Sequence, residues 1–210
     1  TQSMARTGLP TVLSTGMATL SDVDEAVRAF RDAGGRELIL LHCTSSYPTP
    51  SHEVHLRKMQ TLATTFGCPV GFSDHTDGIE AAIGAVALGA GFVEKHFTTD
   101  RNLPGPDHRF SSEPSEFAAL VNAIRRVEKN LGTGIIGPAD SEKKGRIDFR
   151  LSCVAAHDLP AGHVVTEKDV AFRRPGHGLA PGMASWLMGM QTTKQVPRGE
   201  VFSSKHFARS

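Results

Sequence analysis

A rhythm, more than any single residue, limits what this chain can fold into. Between about residue 9 and residue 131, short apolar runs alternate four times with stretches whose apolar residues recur at helical spacing. The runs fall at 9–13, 37–41, 69–72 and 91–93. Ser21 reads as the N-cap of the first helix, with Asp24 three residues on and Val23, Ala26, Val27 and Phe30 along one face. The second helix carries Leu56, Met59, Leu62, Ala63 and Phe66, and the third spans 79–88. The fourth opens at Pro114 and runs through Phe117, Leu120, Val121, Ile124 and Val127 to Leu131. Strands alternating with helices predict an α/β fold on a parallel sheet, because each helix returns the chain to start the next strand in the same direction.

The polar residues gather just after the strands: Ser14 and Thr15; His42, Thr44 and Ser45; Ser73, Asp74 and His75; Lys95 and His96. In a (β/α) barrel that edge is the catalytic face. The stretch 71–107 concentrates the signal, since it is a strand–helix–strand unit with a histidine at the end of each strand. Such a unit lays two parallel strands side by side with their C-terminal ends at one edge, so His75 and His96 are expected to converge. Two neutral imidazoles facing one cleft suit a borderline divalent ion. A histidine at a strand end also serves as a structural residue bonded to backbone, the reading preferred for His42. His52, His55 and His108 read as solvent-facing. Cys43 has no adjacent base in the sequence and does not read as a nucleophile. Four units are half of an eight-fold barrel, which leaves two sheet edges and the inner face to be covered by further strands or by another chain.

Bulk properties exclude several classes. The chain has 210 residues, a formal net charge of +1 and scattered lysines and arginines, which argues against a nucleic-acid surface. No apolar run approaches the length that spans a bilayer, and TQSMARTGLP lacks the apolar segment of a secretory signal, so no membrane partner is expected. Cys43, Cys68 and Cys153 are widely spaced with no C-x-x-C pair, and read as reduced, mostly buried thiols of a cytoplasmic protein. The domain reading is residues 1–131 as the strand–helix domain, 132–150 as a Gly-, Lys- and Asp-rich linker, and 151–210 as a small module of short strands and single helical turns.

Five strings then stand together: LSTGMATL (13–20), LLHCTSSYPTP (40–50), GFSDHTDG (71–78), VEKHFTTDRNLPGPDH (93–108) and FRRPGHGLAPG (172–182). In this order they resemble the sialic acid synthases and their legionaminic acid synthase relatives over nearly the whole chain. The last string lies in a region similar to the antifreeze-like SAF domain. The resemblance implies a TIM-type (β/α)8 barrel of which this chain carries the second half. The family's first four units, with a lysine and a glutamate of the active site, have no counterpart in these residues.

The implied reaction condenses phosphoenolpyruvate with an N-acetylated hexosamine, typically N-acetylmannosamine, to a nonulosonic acid with release of phosphate. It is a carbon–carbon bond-forming transfer. The resemblance implies a divalent metal ion, Mn2+ or Mg2+, held by His75 and His96, with Asp107 beside them as a third catalytic residue. It implies that Ser14, Ser45 and Ser73 bind phosphoenolpyruvate and that Tyr47 and Asp107 line the sugar site. Ser45 stands where some members carry asparagine. Arg174 is implied to reach the sugar's acyl group in a partner subunit, hence a domain-swapped homodimer. The serines as turn hydroxyls, and Arg173 with Arg174 as a solvated pair, are the structural alternatives. Two other functions stay open. One is a catalytically incompetent fragment or sugar-binding module lacking the first half-barrel. The other is a metal-dependent hydrolase or isomerase, which would want a third protein ligand. HCTSSYPTP and LPGPDH lean towards the sialic or legionaminic branch rather than the pseudaminic one.

Overall fold

The computed structural model describes residues 1–208, and the chain forms two compact units, Thr1–Thr133 and Gly134–Ser210. The first unit runs α1 (Gln2–Ala5), β1 (Thr11–Ser14), α2 (Leu20–Asp32), β2 (Leu38–Cys43), α3 (Lys58–Phe66), β3 (Val70–Asp74), α4 (Glu80–Ala87), β4 (Phe92–Lys95) and α5 (Pro114–Leu131). Its strands make one parallel sheet in the order β1-β2-β3-β4. The outer strands β1 and β4 each have one strand partner, and an isolated parallel bridge, Phe97 to Ser112, continues past β4.

Side chains alternate across the sheet as the strand repeat requires. Leu38, Leu40, Val70 and Phe72 join a core with Val23, Val27 and Phe30 of α2, Met59, Leu62 and Phe66 of α3, and Ala85 of α4. The register places the alternate residues on the other face: Val12, Ile39, Leu41, Gly71 and Phe92, then Ser14, Cys43, Ser73 and Glu94 at the C-terminal edge. Gly71 sits where that face is tightest. A Cβ there would lie 2.5 Å from the Phe92 carbonyl oxygen and 2.6 Å from a Leu41 methyl.

Helix ends follow local chemistry. α2 begins earlier than the expected Ser21 cap. Thr19 is the N-cap: its hydroxyl accepts from the Asp22 N–H at 3.3 Å, and the Asp22 carboxylate accepts from the Thr19 N–H at 2.8 Å. Asp24, expected to close that box, instead pairs with Arg28 on the helix surface. α3 stops at Gly67, whose φ of 61° is left-handed. α5 opens with Pro114 at its first turn, and the Glu116 carboxylate accepts from the Glu113 N–H. The short α1, which no sequence signal marked, buries Ala5 in the core.

The stretch 132–150, expected as a linker, carries a 3-10 turn at Asp140–Glu142 and a short helix α6 (Lys143–Asp148). The second unit then pairs β5 (Ser152–Ala155) antiparallel with β6 (Val170–Arg173). After the one-turn helix α7 (Ala184–Leu187), β7 (Gln191–Thr192) pairs with β8 (Phe207–Ala208). Cys153, Leu159, Val165, Leu187, Val196 and Phe202 form its core. Asp169 is buried beneath two histidines, with His157 Nε2 2.9 Å from one carboxylate oxygen and His163 Nε2 3.0 Å from the other. Burial by itself pushes this carboxyl up, but hydrogen bonds from His163 and from the Thr166 N–H and hydroxyl outweigh it and hold the pKa down to about 2. Among the described residues no helix is long and apolar enough to cross a membrane.

Gly71→Ala is expected to lower stability by about 1–3 kcal/mol in urea denaturation, because a backbone carbonyl cannot move aside as a side chain can. For Asp169 the folded pKa lies below the unfolded value of about 3.9. Its contribution is therefore present above that value and lost as the pH falls towards about 2. The second unit is expected to lose about 2 kcal/mol over that window in an acid titration followed by circular dichroism. Asp169→Asn should flatten the dependence.

Candidate functional site

His75 follows β3 and His96 ends the run through β4, so the parallel register sets the two rings side by side. Their centroids are 5.3 Å apart with planes at 57°. Tyr47, from the loop after β2, packs 4.3 Å from the His75 ring and 5.5 Å from the His96 ring. Phe110 closes the cluster, 5.3 Å from both Tyr47 and His96. Asp107 Oδ2 lies 4.0 Å from His96 Nδ1, and the Asp107 side chain is 62% exposed.

Hydrogen bonds orient the first imidazole. His75 Nδ1 is 2.9 Å from the Thr44 carbonyl oxygen, which can only accept, so Nδ1 carries a proton, and in the neutral ring Nε2 keeps its lone pair. Nε2 faces the Ser73 hydroxyl at 3.5 Å. That hydroxyl donates to Glu94 at 2.7 Å. Cys43 Sγ lies 3.9 Å from both His75 Nδ1 and Ser45 Oγ. The Cys43 contact is the main cause that lifts the His75 pKa above the ordinary histidine value; burial opposes it and the Thr44 carbonyl adds to it. Burial pushes the Cys43 thiol up, but contacts with His75, Ser14 and Ser45 outweigh it and leave the thiol below its usual value.

The other expected residues are placed as follows. Ser14 is exposed at the end of β1. Ser45 rests over Gly16, where a Cβ would collide with its hydroxyl. An open cavity of about 650 Å³ adjoins them, lined by Thr15, Met17, Cys43, Ser45, His55 and Lys58 among others. Arg174 belongs to the second unit, exposed, with its guanidinium 5.7 Å from the centre of the Phe149 ring. His42 is buried and its Nε2 lies 2.6 Å from the Val54 carbonyl, a structural histidine.

Two readings change, and two residues join the site. His108 is not solvent-facing: it is half-buried, with Nδ1 2.7 Å from the hydroxyl of buried Thr98, which also bonds the Asp100 backbone. Asp74 and Lys95, grouped with the reactive residues by their place after the strands, form a buried ion pair with each other. Glu94 and Phe110 were not singled out. The signal for Glu94 was available, since it stands two residues before His96, on the strand face that also carries Ser73.

The chemistry of the donors fits a divalent cation. Nε2 of His75 is uncommitted to backbone, the second imidazole is adjacent, Asp107 stands beside His96, and Glu94 is joined to His75 through the Ser73 hydroxyl. An ion bound about 2.1 Å from one nitrogen of each ring is compatible with the observed ring separation. Among the described residues no group of three or more histidine, cysteine, aspartate or glutamate side chains could hold a metal ion together.

Fold and cleft thus define an α/β half-barrel, with two imidazoles converging at the C-terminal edge of a parallel sheet, followed by a small β-rich domain. The chain belongs to the NeuB family, which residues 1–136 match, and residues 152–208 match the SAF domain. It is 47% identical over 200 residues to an uncharacterized protein of Methanocaldococcus jannaschii, covering 95% of this chain and 59% of that one. It is 41% identical over 209 residues to the N,N'-diacetyllegionaminic acid synthase of Legionella pneumophila, covering 98% of this chain and 59% of the relative. The solved N-acetylneuraminic acid (sialic acid) synthetase of Leptospira borgpetersenii superposes with a TM-score of 0.63 at 42% identity, over 69% of this chain and 50% of that one. The chain therefore spans about three-fifths of the length of these curated relatives.

Replacing Cys43 by Ala removes the main cause of the raised His75 pKa. The His75 titration midpoint, followed by ring-nitrogen NMR, is expected to fall towards the ordinary histidine value.

Proposed function

We propose that this chain is the cation-binding part of a nonulosonic acid synthase, which joins phosphoenolpyruvate to an N-acetylated hexosamine such as N-acetylmannosamine and releases phosphate. The observation that carries the reading is the His75–His96 pair, with Nδ1 of His75 tied to backbone and Nε2 held only by a long contact with the Ser73 hydroxyl. The names of the Legionella and Leptospira relatives support the reaction class and leave the sugar open between the legionaminic and sialic series. The parallel four-stranded sheet is read as half of a (β/α)8 barrel, completed by four more strand–helix units.

In this reading His75 and His96 hold Mn2+ or Mg2+, which when bound polarises the sugar aldehyde towards attack by C3 of phosphoenolpyruvate. Asp107, close to His96 and open to solvent, accepts a proton from the water that adds at C2. Ser14 and Ser45 donate to the anionic groups of phosphoenolpyruvate. Ser73 can do so only by turning its hydroxyl away from Glu94. Tyr47 forms an apolar wall for the sugar beside the two rings. Arg174 of the partner subunit contacts the acyl group, in a domain-swapped homodimer. Closing the barrel brings the cationic groups that neutralise phosphoenolpyruvate, and without them the chain is the sugar-binding module of the alternative reading.

In the complete barrel, His75→Ala or His96→Ala is expected to cut sugar-dependent phosphate release at least ~100-fold with the circular dichroism unchanged, and a chelator should do the same. Phosphate release that ignores both the chelator and the substitutions would sink the reading.

A further inference from the structure

Behind the imidazoles, on the helix side of the sheet, lies a charge pair that the reaction does not use. Asp74 and Lys95 are register partners at the ends of β3 and β4. Their side chains are 0% and 4% exposed, and Lys95 Nζ donates to Asp74 Oδ2 at 2.9 Å. Each is the residue immediately before one of the two histidines. Lys95 Nζ also donates to the Thr76 carbonyl at 2.8 Å. Asp74 Oδ1 accepts from the Thr76 N–H at 2.9 Å and from the Thr76 hydroxyl at 2.7 Å. His75 is thus bracketed by two residues, Asp74 and Thr76, that are both fastened to the residue preceding His96. Its own carbonyl is held by the Thr49 N–H at 2.8 Å.

A buried ion pair is a poor way to stabilise a sheet, because desolvation cancels most of the attraction and an apolar pair of similar size packs as well. It does better at fixing geometry, since its hydrogen bonds are directional and a displaced partner is left charged in a dry site. We propose that Lys95 and Asp74 are positioning residues that set the distance and orientation of His75 relative to His96 for a shared divalent cation. The proposal rests on reading this cleft as a cation site. The mechanism is mechanical: the ammonium clamps the turn after β3 to the end of β4, so the two rings cannot drift apart as their loops move.

The test uses the intact chain and the double variant Asp74→Leu/Lys95→Met. Removing both charges together avoids the stranded ion that would unfold a single variant. Cooperative thermal unfolding checks that the double variant is folded. Two readouts then follow. The first needs no metal: the nuclear Overhauser contact between the His75 and His96 rings, together with the nitrogen shifts that mark His75 as the Nδ1–H tautomer. The second is calorimetric titration with Mn2+, with His75→Ala as the control that locates binding. The double variant is expected to lose the ring-to-ring contact, to mix its His75 tautomers and to bind Mn2+ at least ~10-fold more weakly. A folded double variant that keeps the ring contact and the parental affinity overturns the proposal, leaving the pair a structural feature only. If the parent binds no Mn2+ at this site, the cation reading fails by itself, and the metal-free readout still decides whether the pair holds the rings.

Discussion

The parallel register of β3 against β4 is the constraint on which the cleft depends. It pairs Ser73 with Glu94 and Asp74 with Lys95, and so delivers His75 and His96 to the same level of the same edge. A slip of one residue would turn every side chain of β4 to the opposite face, exposing Lys95 and burying Glu94 among the helices. The register is held from both sides. On the helix side, Phe72 and the apolar helix faces favour one setting. On the other, Gly71 leaves just enough room for the Phe92 backbone to approach.

The cleft is built so that polar atoms are committed in one direction and available in the other. His75 spends its N–H on the Thr44 carbonyl, Ser73 spends its hydroxyl proton on Glu94, and Thr15 turns both its N–H and its hydroxyl to the Leu41 carbonyl. What remains facing the cleft is mostly acceptor: an imidazole lone pair and two carboxylates. Such a lining repels an anion unless a cation stands between them. The aromatic rings of Tyr47 and Phe110 pack against the imidazoles on two further sides.

Much of this was legible in the chain, for physical reasons that differ residue by residue. Strand and helix order followed from short apolar runs alternating with apolar residues at helical spacing, and the convergence of His75 and His96 followed from parallel topology alone. The start of α2 was misplaced because Thr19–Asp22 and Ser21–Asp24 are equally good capping spacings, and the choice fell to whether Asp24 had Arg28 to pair with. Lys95 and Asp74 are grouped with the reactive residues by their place at the strand ends, although each directly precedes one of the two histidines and so, by alternation, takes the opposite face of the sheet. His108 looked like a surface residue because its partner Thr98 lies across a loop, a contact no local pattern encodes. Glu94 is readable by alternation from His96, two residues on along the same strand face.

Among the described residues the outer strands β1 and β4 each have one flank without a neighbouring strand, and Phe92 on the inner surface is 39% exposed. An anion lodged beside the imidazoles would then be bathed in bulk solvent, where dielectric and salt dilute any charge contact to a fraction of its dry strength. Additional strands laid along those flanks would exclude that solvent. The hold on such an anion would strengthen with no atom of the histidine pair displaced, so anion affinity would report on closure of the sheet as faithfully as on the residues that touch the ion.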